Sequence, residues 1–310
     1  MKEIKKVLIC GLGAIGTIYA DKIQKFSNDN LKILVDEKRL ERYIKNPIIF
    51  NGEEKNFNYI LPENKDFKAD LIIIATKYDG IFDVIKNIKN FVTENTIIMS
   101  LLNGVTSEKL IAEEYGFDKL VYSYFIGHSA VREGRNITQD GINTIVFGSD
   151  DNPEHVKAIS SFFDKAGINY KIPEDIIRSM WLKYMLNVSS NQTSAILKLT
   201  FGDIYNNEKC LNFIIEVMKE VQTLAKAEGV NNTESMIDEA LITLKTMTFD
   251  GKTSMLQDVE AGRKTEVEMF AGNIIELGKK HNIATPYNNV LKQMIDIIYE
   301  IDQNKKGCNN

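Results

Sequence analysis

The junction KVLICGLGAIG, residues 6–16, constrains the fold more than any other stretch of the chain. An apolar run long enough for one buried strand passes without a spacer into G-x-G-x-x-G, and the amphipathic segment GTIYADKIQKF follows at once. Read as strand, turn and helix, the spacing gives each glycine a task. Gly11 permits the tight turn, Gly13 lets the backbone approach a pyrophosphate, and Gly16 lets helix and strand pack closely. The loop amides, those of Leu12, Ala14 and Ile15 included, present N–H groups and the positive end of the helix to a phosphate. The same spacing alone also makes an ordinary turn; its place between strand and helix makes it a dinucleotide site. The next apolar run, KILVD, closes on Asp36, where a carboxylate hydrogen-bonds a ribose hydroxyl. Lys38, Arg39 and Arg42 follow, and either offer charge to a 2′-phosphate or form a solvated helix start.

Further strands are expected at LIIIAT (71–76), TIIMSL (96–101) and LVYSYF (120–125), with amphipathic helical segments between them. Near-continuous apolar strands alternating with helices make a parallel sheet covered on both faces. The fold class is therefore α/β, a Rossmann-type doubly wound sheet. TQDGINTIVFGS predicts a hairpin about Asp140-Gly141, adding antiparallel strands at the sheet edge. Near Pro173 the texture changes to helical periodicity, broken at Gly202, Gly229, Asp250-Gly251 and 282–286. Two domains follow: 1–172, dinucleotide-binding, and 173–310, an all-α domain of five or so helices for substrate binding and dimerisation. A chain of 310 residues with 44 % apolar and 26 % charged residues has room for two such cores. A net charge of -5 gives no global attraction to nucleic acid. No apolar run approaches the roughly 20 residues that span a bilayer, and the N-terminus reads as the first strand, not a signal peptide. Three dispersed cysteines and three separated histidines form neither a disulfide framework nor a metal-ligand spacing, which favours the cytoplasm.

Candidate chemistry sits in four places. Lys77 and Asn103-Gly104 follow expected strands, where α/β sheets bind ligands; position alone does not separate them from a surface lysine and a turn. In WLKYMLNVSSN, Lys183, Asn187 and Asn191 recur every four residues and share one helical stripe, with a single cation among amides. Such a stripe is a solvent face or a wet cleft. Hydride delivery to a ketone creates an alkoxide that needs a proton, which a lysine ammonium can give while the asparagines bind hydroxyl or carboxylate groups. In KTSMLQD, with Glu266 beyond it, Thr253, Ser254 and the following amides read as a helix start able to hold a carboxylate, or as a plain capped helix with Asp258. Arg263 and Glu266 read as surface residues on the same grounds.

GLGAIG, the lysine of ATK, Asn103-Gly104, HSA at 128–130, WLKYMLNVSSN and TSMLQD…KTE together resemble the ketopantoate reductase (2-dehydropantoate 2-reductase) family over nearly the whole chain. The resemblance implies reduction of ketopantoate to (R)-pantoate on the route to pantothenate and coenzyme A, with NADP as cofactor, NAD remaining open because of Asp36. It makes Lys183 the general acid, Asn187 and Asn191 substrate ligands, and Ser254 the partner of the substrate carboxylate. Glu266 contacts the complex near the cofactor ribose, and Lys77, Asn103 and Ala130 line the nicotinamide side. It also implies a homodimer built through the helical domain and an active site in the cleft between domains. Two positions depart from the pattern. Leu199-Thr-Phe-Gly202 stands where another substrate-binding Asn is common, which leaves another branched 2-oxo acid as an alternative substrate. Asp36 stands where several members carry a basic residue. A nucleotide-sensing module without catalysis is the non-enzymatic rival, and it has no need of a proton donor.

Overall fold

The computed structural model describes residues 3–127 and 130–307, and the chain divides into two compact units, Met1–Ile176 and Ile177–Asn310. The first unit contains, in order, β1 (Val7–Cys10), α1 (Ala14–Ser27), β2 (Leu31–Leu34), α2 (Glu37–Lys45), β3 (Ile48–Phe50), β4 (Glu53–Lys55), β5 (Tyr59–Ile60) and β6 (Leu71–Ile74). It continues through α3 (Ile81–Asn87), β7 (Ile97–Ser100), α4 (Ser107–Tyr115), β8 (Leu120–Gly127), β9 (Ala130–Glu133), β10 (Asn136–Gln139), β11 (Asn143–Gly148), α5 (Pro153–Ala166) and β12 (Tyr170–Lys171).

The main sheet runs β12-β11-β8-β7-β6-β1-β2-β5, parallel from β5 through β8. Its middle strands are buried on both faces, which is why VLIC, LIII and IIMS have no polar alternation until Ser100. Parity sorts the side chains. Val7, Ile9, Ile33, Leu71 and Ile73 pack with Ile18, Tyr19 and Ile23 of α1, while Leu8, Cys10, Leu34, Ile72 and Ile74 pack with Ile81, Ile88, Phe91 and Ile111. Each such buried aliphatic side chain contributes about 1.5–3 kcal/mol. The sheet reverses direction of growth between β1 and β6, so the loops leaving those strands form the crevice where doubly wound sheets take their ligands.

A second sheet, β4-β3-β10-β9, covers part of α1. It corrects the expected hairpin. β10 and β11 do not pair: β10 joins β9 across the Gly134 turn and runs parallel to β3, whereas β11 lies antiparallel to β8 in the main sheet. Asp140-Gly141 therefore passes the chain from one sheet to the other, with Gly141 at φ +75°. Alternating burial is identical for a hairpin and for strands of two sheets, so periodicity could not separate them.

The second unit is helical: α6 (Ile176–Leu186), a π-turn (Asn187–Asn191), α7 (Gln192–Leu197), α8 (Phe201–Asn206), α9 (Glu208–Ala227), α10 (Met236–Lys245), α11 (Ser254–Glu260), a second π-turn (Glu268–Gly272), α12 (Asn273–His281) and α13 (Pro286–Gly307). The central helix α9 buries Ile214, Val217, Met218, Val221, Leu224 and Ala225 at helical spacing. Its buried Glu220 accepts hydrogen bonds from the backbone N–H groups of Tyr287 and Asn288 and from Asn288 Nδ2, fixing the start of α13. Gly202 does not break a helix as expected. The break is at Lys198, in the left-handed region at φ +55°, after which Thr200 and Asp203 form a capping box that starts α8. Gly202 lies inside α8, where a β-carbon would stand 2.5 Å from the Phe249 ring.

Candidate active site

In the first unit the glycine loop is shaped by close backbone approach. Gly11 has φ +106°, and a β-carbon on it would lie 2.7 Å from the Ala75 carbonyl oxygen at the end of β6. One on Gly16 would lie 1.9 Å from the Gly11 carbonyl oxygen. Both positions therefore exclude any larger residue. Gly13 differs: its nearest neighbour would be Ala75 O at 3.9 Å, so nothing in the protein forces glycine there. That space is open to a group approaching the backbone, and α1 begins after Gly13 with no side-chain cap and no acidic residue in its first turn. The loop thus fits a dinucleotide pyrophosphate, with the amides of Leu12 to Gly16 around it.

The remaining nucleotide candidates stand on neighbouring strand ends. Asp36, Gly11, Lys77 and Asn103 follow β2, β1, β6 and β7, four strands adjacent in the sheet. Asp36 is exposed and is the N-cap of α2; it accepts from the Arg39 backbone N–H and from Arg39 Nη1, both at 2.7 Å. The carboxylate expected at the ribose is thus already partnered by the cation that competes with it for the role. Arg42 instead stacks on Tyr43, 4.9 Å from its ring centre. Lys77 is exposed ahead of a short 3-10 turn, and Asn103 is half-buried before Gly104, which has φ +99°. Ala130 opens β9 and packs at the edge of the α1 core; His128 and Ser129 of the HSA segment lie outside the described residues.

In the second unit the WLKYMLNVSSN helix is not regular. α6 ends at Leu186 and Asn187–Asn191 form a π-turn before α7 resumes. Four residues of α-helix advance a side chain about 40° past a full turn. The wider π-turn takes fewer degrees per residue and turns that advance back, keeping Asn191 near the meridian of Lys183. Asn187 is half-buried and Asn191 only 7 % exposed, so the stripe expected of them is no solvent face. Ser189, Ser190, Gln192, Thr193 and Ser194 are buried as well. The wide turn explains them, because it displaces backbone hydrogen bonds that side chains then replace. Ser189 Oγ donates to Met185 O at 2.8 Å, Thr193 Oγ1 to Ser189 O at 2.7 Å, and Gln192 Nε2 to Val188 O at 2.7 Å.

The second π-turn packs near the first. Tyr184, fully buried on α6, donates its hydroxyl to the carbonyl oxygens of Met269 at 2.9 Å and Phe270 at 3.0 Å. The sequence gives no sign of this link. It joins the residue after Lys183 to the turn just beyond Glu266, and the two charged groups interact. Burial lowers the Lys183 ammonium to about 8, and the Glu266 carboxylate acts in the opposite direction. Such a lysine remains mostly protonated at neutral pH and gives up its proton more readily than an ordinary one.

Ser254 is exposed at the first position of α11, and the cap is Thr253, whose hydroxyl accepts from Leu256 N–H at 3.2 Å and donates to Ser194 Oγ at 3.1 Å. The plain capped-helix reading through Ser254 and Asp258 therefore fails: Asp258 pairs with Arg263 at 2.7 Å, and Ser254 takes no part in the cap. Phe201 packs on Gly251 beside the Thr200–Asp203 box. A cavity of about 190 Å³ in the first unit is lined by Ile4, Asp70, Glu94, Ile97 and His155, at the amino ends of the sheet strands and so at the opposite end from Gly11, Asp36, Lys77 and Asn103. Among the described residues no cluster of three His, Cys, Asp or Glu is placed to hold a metal, and no helix is long and apolar enough to cross a membrane.

Two family models match this chain: ketopantoate reductase PanE/ApbA over residues 7–152 and its C-terminal counterpart over 175–299. A 2-dehydropantoate 2-reductase of Pyrococcus horikoshii is 28 % identical over 299 residues, covering 94 % of this chain and 96 % of the relative. One from Streptococcus pyogenes is 25 % identical over 295 residues, covering 93 % and 96 %. Among solved structures, D-mandelate dehydrogenase with NADH and anilino(oxo)acetate superposes with a TM-score of 0.85 over 96 % of this chain and 99 % of that one. At 20 % identity that likeness concerns the fold.

Proposed function

The chain belongs to the ketopantoate reductase family of NAD(P)-dependent oxidoreductases, and on that premise we propose that it reduces 2-dehydropantoate to (R)-pantoate with NADPH. The observation that carries the reading is the helical run that bears Lys183, the half-buried Asn187 and the buried Asn191, with burial lowering the Lys183 ammonium and the Glu266 carboxylate opposing that shift. When bound, the reduced nicotinamide supplies a hydride. Lys183 holds its proton for the carbonyl oxygen, so that charge is neutralised as it develops. Asn187 and Asn191 bind substrate oxygen atoms without adding charge, the exposed Ser254 hydroxyl takes the carboxylate, and Glu266 orients the lysine and contacts the nucleotide ribose. Lys77, Asn103 and Ala130 border the nicotinamide. Arg39, now on Asp36, is the residue we assign to the 2′-phosphate, with Asp36 released to solvent or to helix α2.

A second reading, another branched 2-oxo acid, is favoured by one observation: Thr200 and Asp203 satisfy each other in the capping box and Phe201 is apolar, so this segment presents no additional polar ligand. A steady-state assay of NADPH and NADH against ketopantoate and 2-oxoisovalerate tests both. Asparagines that bond the 4-hydroxyl should favour ketopantoate by about a hundredfold or more in kcat/KM. Equal turnover of the two acids removes ketopantoate as the specific substrate, and no turnover of either with both nucleotides removes the proposed reaction.

We also propose a homodimer formed through α13. Val290, Met294, Ile297 and Ile301 are all exposed at spacings of four, three and four, one apolar seam of the kind two helices share. Light scattering of the full chain and of Ile297→Glu should give a dimer and a monomer, respectively; a monomeric wild-type chain dismisses the seam.

A further inference from the structure

We propose that Arg132 is a phosphate-binding residue of the nucleotide site, clamping the pyrophosphate from the second sheet. The inference rests on the glycine loop being a dinucleotide site and adds a residue that no loop motif contains. Arg132 lies on β9, a strand packed on α1, and is half-buried. Its Nη1 donates to the carbonyl oxygen of Leu12, within the glycine loop, at 2.5 Å, and its Nε donates to Gly134 O at 3.0 Å. Both acceptors are neutral. Among the described residues no carboxylate pairs with Arg132, and its Nη2 amino group has no acceptor.

Electrostatics make this arrangement unusual for a purely structural contact. The loop opens α1 at its positive dipole end, with no acidic residue in the first turn and no side-chain cap. A guanidinium brought beside that end adds positive charge to positive potential and is partly withdrawn from water. Two cationic features converging without a counter-charge are stabilised when an anion arrives, and a planar guanidinium matches two phosphate oxygens at once. The diphosphate of the nucleotide is the anion that the loop geometry already admits. A 2′-phosphate is the competing source of the same chemistry, and the two nucleotides separate them.

The test measures dissociation constants of NADH and NADPH by nucleotide fluorescence, at low and high salt, for the wild-type chain, Arg132→Gln and Arg132→Lys. Loss of a charge-assisted hydrogen-bonding pair should weaken both nucleotides by about ten- to a hundredfold in Arg132→Gln, with Arg132→Lys intermediate. The salt dependence of binding should flatten in Arg132→Gln, which a residue that merely holds Leu12 O would not cause. Wild-type affinity and salt response in folded Arg132→Gln overturn the assignment, and a loss confined to NADPH overturns it in favour of the 2′-phosphate. If Arg132→Gln does not fold, phenylglyoxal modification of the wild-type chain, mapped by mass spectrometry, decides the matter. ADP should protect Arg132 and adenosine should not; equal modification with and without ADP overturns the proposal. A wild-type chain that binds neither nucleotide defeats the dinucleotide reading itself, which is a different failure.

Discussion

The glycine loop after β1 and the helix carrying Lys183 solve opposite problems. The loop is backbone brought close to backbone, and it works because side chains are missing: Gly11 and Gly16 leave no room for a β-carbon. The Lys183 helix is a set of polar side chains kept inside a helical core, and it works because the backbone departs from the α-helix at Asn187–Asn191. One region offers fixed amides to an anion, the other tunes a cation by burial and a neighbouring carboxylate. Each can therefore be damaged without the other, and that separability is open to experiment.

Lys183→Ala should give the largest effect. Removing the proton donor should lower kcat by about 100- to 10,000-fold while the NADPH dissociation constant stays within about twofold of wild type. Stopped-flow turnover and equilibrium fluorescence on one preparation check both halves. A variant that turns over normally ends the assignment of Lys183 as the acid, and one that loses nucleotide binding ends the separation of the two regions.

The loop offers the complementary pair. Gly16→Ala puts a β-carbon 1.9 Å from a carbonyl oxygen and should lower the melting temperature by several degrees, nucleotide or not. Gly13→Ala meets nothing closer than 3.9 Å, so its melting temperature without nucleotide should match wild type while NADPH affinity falls about tenfold or more. A destabilised Gly13→Ala would mean that the glycine is there for the fold and not for the ligand.

These two regions were also unequally legible. The loop could be read because glycine spacing after an apolar strand maps directly onto backbone geometry, and the parallel strands because burial on both faces erases alternation. The stripe of Lys183, Asn187 and Asn191 was visible too, but its burial was not, since a four-residue repeat looks the same facing water or protein. The run Ser189–Ser194, polar within an apolar helix, was the one available sign that the backbone there needs side-chain partners. Tyr184 and Arg132 left no sign, because their partners are carbonyl groups 85 and 120 positions away in the chain. The second sheet was missed for a related reason: β3 and β4 have three residues each, too short to show a period.

Tyr184→Phe probes the backbone side of the Lys183 region. It removes the donor from the carbonyls of Met269 and Phe270 while keeping the ring, and Asn273 Nδ2 remains on Met269 O at 3.0 Å. The expected cost is about 1–3 kcal/mol of stability, measured by urea unfolding. If the link also sets Glu266 against Lys183, the pH profile of kcat should shift in parallel. A stability loss with an unchanged profile confines Tyr184 to holding the fold.

Glu266→Gln should give the smallest and most specific change. Burial pulls the Lys183 ammonium down from its ordinary value of 10.5 to about 8, and the Glu266 carboxylate pulls it up. Neutralising Glu266 leaves burial opposed by less, so the lysine loses its proton at lower pH. The acid form is then depleted earlier as pH rises, so the alkaline fall of kcat, expected near 8 for the wild-type chain, should move to lower pH in the variant. Stability must follow the same sign. A lysine whose folded value lies below its unfolded value costs stability where both states are charged, and the cost is relieved as pH rises from about 8 toward 10.5. Glu266→Gln deepens that cost below pH 8, so the melting temperature of the variant should trail wild type at pH 7 and approach it at pH 10. An alkaline limb that stays in place while the melting temperature drops would show that Glu266 supports the fold without tuning the acid.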